Sequence, residues 1–174
     1  MTGAPTTEQL ADEIAATHVS WFREHPTGGI AQTCLIFPEE GKAFAVECGW
    51  RDEDERRLML AVLRATMATQ RAIRYAIWSE IWMAMKPLPE GRTAQQEIDD
   101  ADYQHGDISR DPDRVEAVFT LVVEASGKQA IRLQKIVRGR RGGVRRLEPL
   151  DGDPSEWEGM GGALGDLLPE RTFQ

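Results

Sequence analysis

The chain has 174 residues, 41% of them apolar and 29% charged, with a formal net charge of −8. That combination fits one globular domain with a sizeable core and excludes a fibrous or disordered chain. The acidic balance argues against a protein that coats nucleic acid over its whole surface, while leaving room for a local basic patch.

Cys34 and Cys48 are the only cysteines, which is no disulfide framework in a chain of this length. The first residues show no basic region followed by an apolar one, and Arg74, Ser79 and Glu80 interrupt the longest apolar run. The expectation is therefore a cytoplasmic protein with reduced thiols and no membrane span.

In chain order, Leu10, Ile14, Ala15, His18, Trp21 and Phe22 recur at helical steps, predicting a helix over 8–24 with Thr7 as its cap. Pro26 and the Gly28–Gly29 pair stop it. Strands over 30–37 and 42–48 follow, joined by a turn at 38–41, and pairing Phe37 with Lys42 sets Cys34 opposite Ala45. A second helix over 52–69 opens with Asp52, Glu53, Asp54 and Glu55, which suit the positive end of its dipole. Leu58, Ala61, Val62 and Ala65 mark its sheet-facing stripe, with Leu60, Leu63 and Met67 broadening it.

The stretch 71–85 is ambiguous by period. Ile73, Ile77, Ile81 and Met85 would continue the helix, but one helix over 52–86 would far exceed the about 12-residue mean. Its Ile and aromatic content favours a strand buried on both faces. A long polar segment leads to strands over 114–124, 129–138 and 144–147, the first two joined by a hairpin turn at Ala125–Lys128. Residues 1–150 then form a single α+β domain with helices packed on a curved, mostly antiparallel sheet, in the order α-β-β-α-β-(long loop)-β-β-β. Residues 151–174 form a Gly-, Pro- and acid-rich tail that docks loosely through apolar residues such as Leu164, Leu167 and Leu168.

Three clusters carry chemical interest. The segment 97–113 holds Asp100, Asp102, Gln104 and Asp111, oxygen donors of the kind hard cations take. However, the calcium-loop spacing fails: the glycine falls at 106 where the loop needs it at 105, and Asp111 replaces the bidentate glutamate. Polar loops of this composition are also ordinary solvated connectors. No metal site is assigned from it. Glu80, between Trp78 and Trp82 on a central strand, needs a partner because an unpaired buried charge is costly. A structural ion pair is the expectation, and a pocket acid the alternative. Glu80, Asp100 and Asp102 are the weak catalytic candidates, for a metal-dependent hydrolase or nuclease that would gather them in one cleft.

The third cluster is basic. Arg132, Lys135, Arg138, Arg140, Arg141, Arg145 and Arg146 crowd one hairpin of an acidic protein. Arg138, Arg140, Arg141, Arg145 and Arg146 are the binding candidates, for phosphates or an acidic partner. No aromatic residue is interleaved with them. The histidines and cysteines lack zinc spacing, and no serine sits in a nucleophile elbow. No phosphate-binding or dinucleotide glycine loop has its strand–helix context. The chain resembles no family closely enough to transfer residues. The leading expectation is a protein that acts by binding another macromolecule or itself as a homo-oligomer, without catalysis or cofactor. Nucleic-acid binding through the basic hairpin is the other alternative.

Overall fold

The computed structural model describes residues 4–84, 91, 114–150 and 167–168. Helix α1 (Thr7–Glu24) begins one residue earlier than the apolar period implies, because Thr6 and not Thr7 caps it. The Thr6 hydroxyl accepts from the Gln9 N–H while Gln9 Oε1 accepts from the Thr6 N–H, a reciprocal capping box. That frees Thr7 to turn inward, fully buried, and donate to the Glu124 carboxylate.

Strands β1 (Thr33–Pro38) and β2 (Phe44–Glu47) precede helix α2 (Glu53–Thr69), whose N-cap is Asp52. Strand β3 (Ala72–Ala84) follows α2 after two residues, and β4 (Arg114–Glu124), β5 (Gln129–Arg138) and β6 (Val144–Pro149) complete the chain of elements. This is an α+β fold with an open, antiparallel six-stranded sheet in the order β2-β1-β3-β4-β5-β6.

The sheet separates its two helices. Cys34, Ile36, Tyr75, Ile77, Phe119, Leu121 and Leu133 point to one face, where Leu60, Leu63 and Met67 of α2 cover them. Ala76, Val122 and Ala130 point to the other and meet Leu10, Ala11 and Ile14 of α1. Alternate burial on both faces confirms β3 as a central strand. Leu167 is buried in the α2-side core, and Leu168 packs against it.

Three expectations change. The first hairpin pairs Cys34 with Val46, not Ala45, because its loop runs longer than the expected turn. A one-residue slip reverses which side chains share a face. It brings Phe44, Val46 and Cys48 onto the α2 side with Cys34 and Ile36. The stripe chosen for α2 is also reversed. Leu60, Leu63 and Met67 face the sheet, while Leu58 is 67% exposed, Val62 is 45% exposed and Ala61 and Ala65 lie outside with them. Trp21, finally, is not part of the buried α1 stripe; it is 44% exposed.

Candidate functional site

One end of the sheet gathers most of the chemistry. After α1, residues 25–32 cross the α1 face of the sheet and are tied at two points to β6 and β3, before the Gln32 carbonyl accepts from the Cys48 N–H at 2.9 Å. Val144 of β6 donates its N–H to the Pro26 carbonyl at 2.6 Å, and Ile30 donates its N–H to Glu80 Oε1 of β3 at 2.6 Å. A Cβ at Gly143 would stand 3.1 Å from the Pro26 oxygen, a tight contact that would press on the first anchor. At Gly29 a Cβ would sit 3.4 Å from Glu80 Oε1, an ordinary contact.

Glu80 is thus a backbone acceptor and, among the described residues, not the ion-pair partner expected of it. Among the described residues it has no salt-bridged cation; its carboxylate holds the linker backbone, with Arg138 near enough to interact through space. Beyond it on the same face, Trp82 is 52% exposed and carries the Arg114 guanidinium 5.9 Å from its ring centre. Trp82 is paired across the strands with Glu116, which binds Arg138, and Arg138 Nη1 donates to the Gly142 carbonyl at 2.9 Å. The Glu116 hydrogen bond, foremost, raises the Arg138 pKa. Across the linker, Trp21 stacks on His25 with ring centres 4.1 Å apart, and Gly28 lies beside the Trp21 indole nitrogen.

The basic cluster divides into two groups. Arg132 reaches back to α1 and binds Glu8 at 2.8 Å and Asp12 at 2.7 Å. Arg138 is held by Glu116, and Arg146 by Glu148 at 2.5 Å. These are structural pairs. Arg140 and Arg141 in the β5–β6 turn and Arg145 on β6 are exposed and have no hydrogen bond or ion pair among the described residues. Of the five binding candidates, then, two are engaged in the fold and three are exposed with no partner among the described residues.

Asp100 and Asp102 lie outside the described residues, as does the rest of the acidic segment. Among the described residues, no three His, Cys, Asp or Glu side chains are grouped to hold a metal ion. The thiols are buried, and burial pushes Cys34 up to about 12 and Cys48 up to about 11, far from nucleophilic. No helix of the described residues is long and apolar enough to cross a membrane.

Sequence reasoning overlooked Trp82 as a surface residue and counted it as core. The usable signal was its place near the end of β3, where burial from the flanking strands runs out. Comparison with family models, curated proteins and solved structures finds no match, and the site is therefore read from its own geometry.

Proposed function

We propose that this chain is a protein-binding domain that engages an acidic segment of a partner through Trp82 and the open arginines of the β5–β6 turn. The observation that supports the reading is the division of the arginines: among the described residues, Arg132, Arg138 and Arg146 have acidic partners, while Arg140, Arg141 and Arg145 have none. Arginine and tryptophan are the residue types that dominate binding energy at protein interfaces. Guanidinium groups also match carboxylates in two-point hydrogen bonding. A long polyanion fits less well. Affinity for nucleic acid grows with the number of phosphates neutralised, and three arginines on a chain of net charge −8 neutralise few.

The test titrates a fluorescent glutamate-rich peptide of about ten residues, and a single-stranded oligonucleotide of similar charge, into the full chain. Peptide binding that weakens about tenfold or more in the Arg140→Ala/Arg141→Ala/Arg145→Ala variant, equivalent to about 1.4 kcal/mol, supports the reading. A comparable loss in Trp82→Ala extends it to the aromatic half of the surface. Equal peptide binding by wild type and the triple variant overturns it. Preference for the oligonucleotide through the same arginines transfers the surface to nucleic acid.

A second reading, self-association, is favoured by the outward stripe Leu58, Ala61, Val62 and Ala65 of α2. The sheet edges are poorer routes: β2 is four residues long, and β6 carries arginines, an irregular register against β5 and Pro149. Four side chains fall well short of the roughly 20–30 residues a side of a stable interface, so such a dimer is weak. Light scattering that reports a monomer at millimolar concentration removes it.

A further inference from the structure

The α1 face of the sheet is not one continuous apolar surface. Leu10, Ala11 and Ile14 pack with Ala76, Val122 and Ala130 under the first half of α1. Phe22 packs separately with Val118, Ile136 and Val144 near its end. Between the two clusters lies a polar layer made by His18 of α1, Thr120 of β4 and Gln134 of β5. The His18 ring sits 5.8 Å from the Trp78 ring of β3, and Trp78 is the cross-strand partner of Thr120. Gln134 donates Nε2 to the Ala15 carbonyl at 3.3 Å and also approaches His18. Even so, among the described residues His18 Nδ1, Gln134 Oε1 and Thr120 Oγ1 are buried without a hydrogen-bond partner. Three unmet polar atoms in one layer make it the weakest seam on this face.

The helix is held unevenly about that seam. Its first half has the capping box, the Thr7 hydroxyl on Glu124, and Arg132 on Glu8 and Asp12. Arg74 reinforces that end, binding Glu124 at 2.7 Å and the Pro5 carbonyl at 2.7 Å. Beyond Ala15, among the described residues, no ion pair ties α1 to the sheet. Phe22 and the two linker anchors hold the rest.

We propose that the His18–Thr120–Gln134 layer is a proton-operated latch, so that acidification lifts residues 18–30 from the sheet while residues 7–15 stay docked. The device bears on the binding reading only in its consequence: the lifted segment carries the Trp21–His25 stack and the Ile30–Glu80 anchor, whose Glu80 lies two residues before Trp82 on β3.

The direction follows from burial, which lowers the His18 pKa from 6.5 to about 4, against a smaller opposing effect of Gln134. The closed layer holds neutral His18, so closure is fully favoured above pH 6.5 and lost as pH falls towards about 4. Among the described residues, no carboxylate is free to stabilise the imidazolium. On the same face, Arg74 and Glu124 are engaged with each other, Arg132 with Glu8 and Asp12, Glu116 with Arg138, and Glu80 with Ile30.

Those two pKa values shift the open-to-closed ratio by roughly 20-fold between pH 7 and pH 5. Hydrogen exchange on the free full chain at the two pH values, corrected for intrinsic exchange rates, reads this directly. The expected result is a roughly 20-fold loss of protection confined to residues 18–30. In His18→Phe, which keeps a ring but cannot titrate, the pH response disappears. His18→Gln, polar and neutral, must give the same flat response and serves if the Phe variant folds poorly. Loss of protection along the whole of α1 together, or a pH response that survives in His18→Gln, overturns the latch. Because no partner is present, this result stands whether or not the acidic peptide binds.

Discussion

Replacing Glu80 with alanine tests whether this carboxylate is a structural anchor. The substitution leaves the Ile30 N–H without its 2.6 Å acceptor and frees the linker from β3. A hydrogen bond to a charged acceptor contributes about 1.5–3 kcal/mol net, and partial exposure of Glu80 lowers that to about 1–2 kcal/mol. With a urea m-value of about 2 kcal/mol/M for a domain of this size, the midpoint should fall by about 0.5–1 M with m unchanged. Glu80→Gln keeps an acceptor oxygen at the same reach and should lose less than half as much. Gly29→Ala, whose new Cβ meets Glu80 only at an ordinary 3.4 Å, should be nearly silent by comparison. Urea titration followed by tryptophan fluorescence is the assay. If Glu80→Ala and Glu80→Gln have the same midpoint as wild type, the anchor is worthless and the reasoning about the linker is wrong.

Leu63→Ala, in the α2-side core, should cost about 2–4 kcal/mol in thermal or urea melts, whereas Leu58→Ala on the outer stripe should stay within about 0.5 kcal/mol. Equal effects would mean that the two faces of α2 have been assigned the wrong way round. At pH 8, thiol pKa values of about 12 and about 11 leave only about one part in a thousand or less of Cys48 and Cys34 as thiolate. A thiol-specific colour reagent should therefore react with neither until denaturant is added, and prompt reaction in the native state would contradict their burial.

Much of the architecture was legible because the apolar period changes clearly from 3.6 to 2 between the helices and the last three strands. The passage from α2 to β3 was read correctly but against a competing helical period, and Arg71 explains the ambiguity. The chain leaves the helix there through a left-handed residue with φ 49°, where a glycine normally advertises the stop. Arg71 instead binds Glu39 at 2.7 Å, a tertiary contact invisible to local pattern. α2 misled for a related reason: it is apolar on opposite sides, and period alone cannot choose which side meets the sheet. The register of the first hairpin was lost to a loop longer than its glycine suggested. The site was read least well. Which arginines were spoken for depended on Glu8, Asp12 and Glu116, acids far from them in sequence or on another strand.

The clasp on α1 also sets an order of events during synthesis. Its partners Glu124 and Arg132 lie more than a hundred residues downstream of Thr7 and Glu8, and the strands β4 to β6 that bury much of its apolar stripe lie roughly as far. While the chain is being made, the first helix can meet only Ala76 and its neighbours on β1 and β3 until β4 and β5 emerge, whereas β4, β5 and β6 can pair with their neighbours as they appear. Leu10, Ile14 and Phe22 therefore stay incompletely shielded until β4 to β6 have been made, and the nascent chain is at its most aggregation-prone before then.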